Sequence, residues 1–153
     1  MQVCPSFRPD PAVNLHKPGF AAYLEQLEKT TGRTIATVDD VRAARYPNLK
    51  CIARHVRYAH SGSENSLKAY MWYQGQTYES RLITFTILDR VGGGDAFASG
   101  LIYAMMKGWS PEETVNFAVA SSVIKHTIHG DGNITDDADT IRAIMNQNYD
   151  IKR

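Results

Sequence analysis

Two carboxylates and three glycines stand together in Asp89-Arg90-Val91-Gly92-Gly93-Gly94-Asp95, directly ahead of an apolar, helix-like run over residues 96–106. A strand that leaves through glycines and re-enters as a helix points several unbonded backbone N–H groups at one spot. The positive end of the helix dipole favours an anion there. Asp95 would then set a carboxylate beside a phosphate site. Such a pair suits transfer of a phosphoryl group to a hydroxyl: the N–H groups hold charge on the donor while the carboxylate orients and deprotonates the acceptor. The same residues also describe a glycine-rich turn with an acidic helix start, which needs no chemistry at all. The run lacks the G-x-G-x-x-G spacing of a dinucleotide site, and no G-x-x-x-x-G-K-[ST] occurs in the chain.

Other polar residues carry two readings each. Arg57 is a ligand contact or a solvated charge at a strand end. Asp131, in Gly130-Asp131-Gly132-Asn133, is a ligand contact or a turn residue set by its flanking glycines. The spacings of His55 with His60, and of His126 with His129, do not establish a closed set of three or four ligands, so no dedicated metal site is expected.

The elements that would position these residues follow from periodicity and punctuation. Pro5, Pro9, Pro11 and Pro18, with Ser6, Asp10 and Asn14, predict an irregular leader that cannot be helix. Phe20, Tyr23, Leu24 and Leu27 recur at helical spacing, and Gly32 suits that helix's end. Thr37 can cap a second helix over residues 38–45, stopped before Pro47. A strand begins at Cys51-Ile52-Ala53 and continues towards Arg57, and residues 66–73 and 76–88 read as extended segments joined at Gln74-Gly75. Helices are predicted over residues 95–107, 111–127 and 136–145. Ser110-Pro111-Glu112-Glu113 is a capping box with proline at the first helical position. Phe97, Leu101 and Met105 form a stripe for burial. Ala118, Ala120, Ser121 and Ser122 let another helix approach closely, or leave a flat slot for a purine ring.

Composition sets outer limits. The chain is 43% hydrophobic and 22% charged with a net charge of +1, as in an ordinary globular protein. A near-neutral balance gives no electrostatic footprint for nucleic acid or an anionic membrane. Cys4 and Cys51 lack metal-ligand spacing and fit a reducing compartment. There is no basic region followed by an apolar core at the start and no apolar run of membrane-spanning length, so a cytoplasmic location is expected.

Asp-x-x-Gly-x-Gly-Asp followed by Ala96-Phe97-Ala98-Ser99-Gly100-Leu101 resembles the second signature of the ribokinase-like (PfkB) carbohydrate kinases. Within that family, the Asp89 to Asp95 run and Lys125-His126-Thr127-Ile128 are similar to the 2-keto-3-deoxygluconate kinases. The similarity runs from about Tyr46 to about Asn133. It leaves residues 1–45 as a leader and helices without clear likeness, and 46–153 as the C-terminal portion of a sugar kinase domain. The fold it implies is α/β, the C-terminal portion of a ribokinase-like α/β/α sandwich behind an irregular N-terminal leader.

The function it implies is ATP-dependent phosphorylation of a sugar acid, 2-keto-3-deoxygluconate, at its terminal hydroxyl. Asp95 would be base and substrate contact, and Gly92, Gly93 and Gly94 the donors to the ATP phosphate. Mg²⁺ would arrive with the nucleotide, bound through phosphate oxygens and water. Asp131 matches an acidic residue expected on the sugar hydroxyls, and Arg57 an arginine that follows a Thr-Leu pair. Here that pair is His55-Val56, and the family's Ile-Pro-Gly-Asp is Ile128-His129-Gly130-Asp131. A ribokinase-like kinase is about twice this long, so the N-terminal half is expected to be missing. Self-association or a separate half would have to complete the pocket. The alternative is a truncated, inactive fragment that at most binds nucleotide or serves as an interaction module.

Overall fold

In the computed structural model, which describes residues 20–32, 38–133 and 138–145, helices flank a small sheet. The order is α1 (Phe20–Thr31), α2 (Val38–Arg45), β1 (Cys51–Ala59), β2 (Glu64–Tyr73), β3 (Gln76–Glu79), β4 (Ile83–Thr86), α3 (Gly93–Met106), α4 (Pro111–His126) and α5 (Ala138–Met145). The predicted leader, the Thr37 cap and the first two residues predicted for the last helix lie outside the described residues. Gly32 closes α1 as expected: its φ is 65°, and its N–H donates to the Glu28 carbonyl at 2.8 Å.

β2 is the sheet's centre. β1 pairs with it antiparallel along its full length, from Cys51 opposite Tyr73 to Ala59 opposite Asn65. On the other side, β3 pairs with residues 70–73 and β4 with residues 64–67. The extended segment expected over 76–88 is therefore two strands separated by a bulge. Residues 80–82 face only 68 and 69 of the partner, one residue in excess. Ser80 repairs the ladder there. Its N–H donates to the Ala69 carbonyl at 2.9 Å, and its Oγ accepts the Ala69 N–H at 2.8 Å. The Arg81 N–H turns instead to Asn116 Oδ1 on α4, at 2.9 Å.

Alternation along the strands sorts side chains onto two helical layers. Cys51, Ala53, Leu67, Ala69, Met71 and Ile83 meet Phe97, Leu101, Val115, Phe117 and Ile141 in the main core. Ile52 and Trp72 point the other way and bury Ala43 of α2. Trp72 Nε1 also donates to Asp40 Oδ1 at 2.8 Å. Helices thus lie on both faces of the sheet, a three-layer α/β/α arrangement. The Cys51 thiol is buried, and that burial pushes it up to about 11.

α3 and α4 are joined by a tight turn through Gly108, at φ 71°. Ser110 caps α4 with the full reciprocal box and proline at the first turn, as expected. Phe97 and Leu101 are buried as expected, while Met105 is only half-buried at the core's margin. The small residues of α4 serve close approach. A Cβ on Gly100 would meet Ser121 Oγ at 2.5 Å and Ala118 Cα at 3.2 Å, so these side chains are spent on packing against α3.

Candidate active site

The glycine run is not entered from a strand. The β2–β4 ladder closes one residue past Thr86, where the Ile87 N–H donates to the Ser63 carbonyl in the same register, at 2.7 Å. The N–H groups of Leu88 and Asp89 then donate to the His126 carbonyl, at 2.8 and 3.1 Å. A loop pinned on the C-terminus of α4 therefore feeds α3. Gly92 is the residue before that helix, in the left-handed conformation at φ 77° and with no side-chain cap. The helix starts at Gly93, two residues ahead of the predicted start, so Gly93, Gly94 and Asp95 form its first turn. N–H groups of a first turn have no carbonyl within the helix to bond.

The three glycines have different surroundings. A Cβ on Gly94 would meet nothing within 4 Å, so this position opens outward. One on Gly93 would collide with the His126 ring, lying 2.8 Å from Nε2. One on Gly92 would press on the Asp131 carbonyl oxygen at 3.0 Å and on Lys125 Cε at 3.1 Å. Asp95 is exposed, and among the described residues its carboxylate has no hydrogen-bond or ion-pair partner. An uncapped first turn with an open glycine and a free carboxylate fits an anionic ligand presented to a proton acceptor.

Asp131 reaches this spot through a loop that is cross-linked to the glycine run. Asp89 Oδ1 accepts the Val91 N–H at 3.1 Å and Oδ2 accepts the Gly130 N–H at 2.8 Å. Those two backbone hydrogen bonds hold the Asp89 carboxyl below the usual carboxylate range. From beneath, the fully buried Lys125 donates its ammonium to the carbonyls of Ile128 and Gly130. The Asp131 side chain itself is exposed. The Asp89 carboxylate and the Lys125 ammonium thus tie the Asp131 loop beside Gly92, from which Gly93, Gly94 and Asp95 lead into the first turn of α3.

Arg57 arrives from β1. It lies on the strand face of Cys51, Ala53 and His55, the face turned to α3, where the His55 and Phe97 rings sit 4.9 Å apart. Its guanidinium is exposed, yet its charge helps lower both His55 and His126, each depressed first of all by burial. Lys125 and Arg90 act on His126 in the same sense. Three cations and the positive end of α3 therefore share one locus with the Asp89 carboxylate and the exposed carboxylates of Asp95 and Asp131. Among the described residues, no group of three or more His, Cys, Asp or Glu side chains is placed to hold a metal ion.

Sequence reasoning missed the side chains beneath the glycines. Ser122 Oγ donates to the Gly93 carbonyl at 2.8 Å, and His126 Nδ1 lies 2.6 Å from the Ser122 carbonyl. A spacing of four on α4 was the available signal for one shared face. What they touch depends on how α4 crosses α3, which no local pattern encodes. Asn65 is sealed on the same sheet face with neither side-chain amide atom bonded among the described residues.

Comparison with known proteins gives this geometry a lineage. The profile of the pfkB family carbohydrate kinases matches residues 23–138, a span that includes both α2 and the glycine run. A solved PfkB family carbohydrate kinase of Listeria grayi is 32% identical with a TM-score of 0.63, over 82% of this chain and 39% of that one. The solved 2-dehydro-3-deoxygluconokinase of Thermotoga maritima is 29% identical with a TM-score of 0.65, over 80% of this chain and 40% of its own. A 5-dehydro-2-deoxygluconokinase of Clostridium beijerinckii is 32% identical over 72 residues, 47% of this chain and 20% of the relative. The chain therefore spans about a fifth of that curated relative and about two fifths of these solved structures. The three layers are the C-terminal portion of a ribokinase-like α/β/α sandwich, and the chain belongs to the pfkB family of carbohydrate kinases.

Proposed function

We propose that this chain carries a site that phosphorylates a sugar acid from ATP, with 2-keto-3-deoxygluconate as the acceptor. The observation that carries the reading is the exposed Asp95 carboxylate, unpartnered among the described residues, in the uncapped first turn of α3. Asp95 would accept the acceptor hydroxyl's proton and hold that oxygen in line with the phosphoryl group. The Gly92–Gly94 backbone would donate to charge developing on the transferred group, a contact worth about 3 kcal/mol per donor when removed. Arg57 would add charge opposite the phosphates, and Asp131 would bond the sugar hydroxyls. Mg²⁺ would be carried in on the phosphate oxygens, supplying charge neutralisation there. Relatives named for 2-dehydro-3-deoxygluconate and 5-dehydro-2-deoxygluconate favour a keto-deoxy sugar acid as the class of acceptor.

The share of the solved relatives that is spanned, 39–40%, favours a second reading. Here the chain provides the cradle while another polypeptide provides the opposing wall of the sugar site. Alone it would bind Mg·ATP weakly and turn over little, because large effective molarities require both substrates to be fixed. Calorimetric titration with Mg·ATP and a coupled ADP-release assay with the sugar acid separate the outcomes. Sugar-dependent ADP release from a monomer supports the first reading; nucleotide binding without release supports the second. Absence of both overturns each.

A further inference from the structure

A carbonyl oxygen only accepts, so the 2.6 Å contact between His126 Nδ1 and the Ser122 carbonyl fixes the imidazole with its proton on Nδ1. The ring is buried at 5% exposure and is held on one side by Phe85, whose ring centroid lies 5.3 Å away. The ring also fills the space where a side chain on Gly93 would stand. Ser122, one turn earlier, donates to the Gly93 carbonyl, and the backbone of His126 itself receives the N–H groups of Leu88 and Asp89. The last turn of α4 thus grips the loop before α3 and the first residue of α3.

We propose that His126 is a positioning residue for the cradle: its ring seats the Gly93 peptide and, through it, aims the first-turn N–H groups and the Asp95 carboxylate. The inference rests on the function proposed above but reaches a residue that touches neither substrate. A ring in this place also explains why position 93 takes glycine although its φ is not in the left-handed region. Removing the ring leaves a void beneath the peptide, and the first turn loses its seat.

Three variants of the full chain test it: His126→Ala removes the ring, His126→Asn keeps an N–H near the Nδ1 position, and Gly93→Ala/His126→Ala refills the void from the other side. Mg·ATP affinity is read by calorimetry, fold by circular dichroism, and the amide exchange of Gly94 and Asp95 by NMR. In folded protein, His126→Ala should weaken Mg·ATP at least tenfold, His126→Asn less than threefold, and the double variant should recover part of the loss. Full affinity in folded His126→Ala would overturn the inference. If the wild-type chain binds no Mg·ATP, the proposed function fails, and exchange at Gly94 and Asp95 decides the inference alone. Exchange at least tenfold faster in His126→Ala than in wild type supports it; unchanged exchange overturns it. Should His126→Ala not fold, His126→Asn carries the test, because it keeps an N–H but not the ring: weaker Mg·ATP binding or faster exchange at Gly94 and Asp95 in that folded variant supports the inference, and wild-type values of both overturn it.

Discussion

A Cβ on Gly93 would strike the His126 ring, whereas one on Gly94 would meet open space, so two adjacent glycines carry opposite expectations. Gly93→Ala should destabilise by about 1–3 kcal/mol through overpacking. Gly94→Ala should stabilise by about 0.4–1 kcal/mol through the unfolded chain's lost freedom. Urea denaturation of the two variants checks both signs. Asp95→Asn should lower sugar-acid turnover by about 10²–10⁴-fold in any preparation that has it, while Mg·ATP affinity stays nearly constant, because the amide keeps shape but cannot take the proton. Steady-state kinetics beside calorimetry would show the split; comparable turnover would remove Asp95 from its role. Asp95 and its glycines were legible in the sequence because they are contiguous. His126 was not, since its partner Gly93 lies across the α3–α4 contact.

At the level of elements, the helices were read nearly to their ends, because capping boxes and proline or glycine stops are local chemistry: Ser110 starts α4 and Gly32 ends α1. The segment 76–88 was misread because its break contains neither proline nor glycine. The bulge depends on a hydroxyl standing in for a carbonyl, and serine alone does not announce that. Ser80→Ala should leave the buried Ala69 N–H without its side-chain acceptor and cost about 1–3 kcal/mol. Faster amide exchange at Ala69 than at its β1-facing neighbours would locate the damage, and wild-type stability would show that the bulge closes without the hydroxyl.

For the molecule as a whole, acid should loosen the fold before it titrates carboxylates. Burial, reinforced by Arg57 and neighbouring cations, lowers both His55 and His126 from the ordinary 6.5. As pH falls, the unfolded chain takes up these protons first. The stabilisation is therefore complete above about pH 6.5 and is lost as pH drops through the depressed folded values. The urea midpoint should fall between about pH 7.5 and about pH 5, and His126→Asn should flatten that slope. The outer edge of β1 has no partner strand among the described residues, so light scattering should detect self-association that a complementing half would suppress. That edge strand begins with Cys51, a thiol that burial keeps protonated, with the ordinary value of 9.0 raised to about 11. In a Cys4→Ser background, which leaves one thiol in the chain, a disulfide reagent can react only when β1 lifts from the core. The labelling rate of Cys51 then becomes a clock for strand departure, and a partner that seats itself on β1 will stop it.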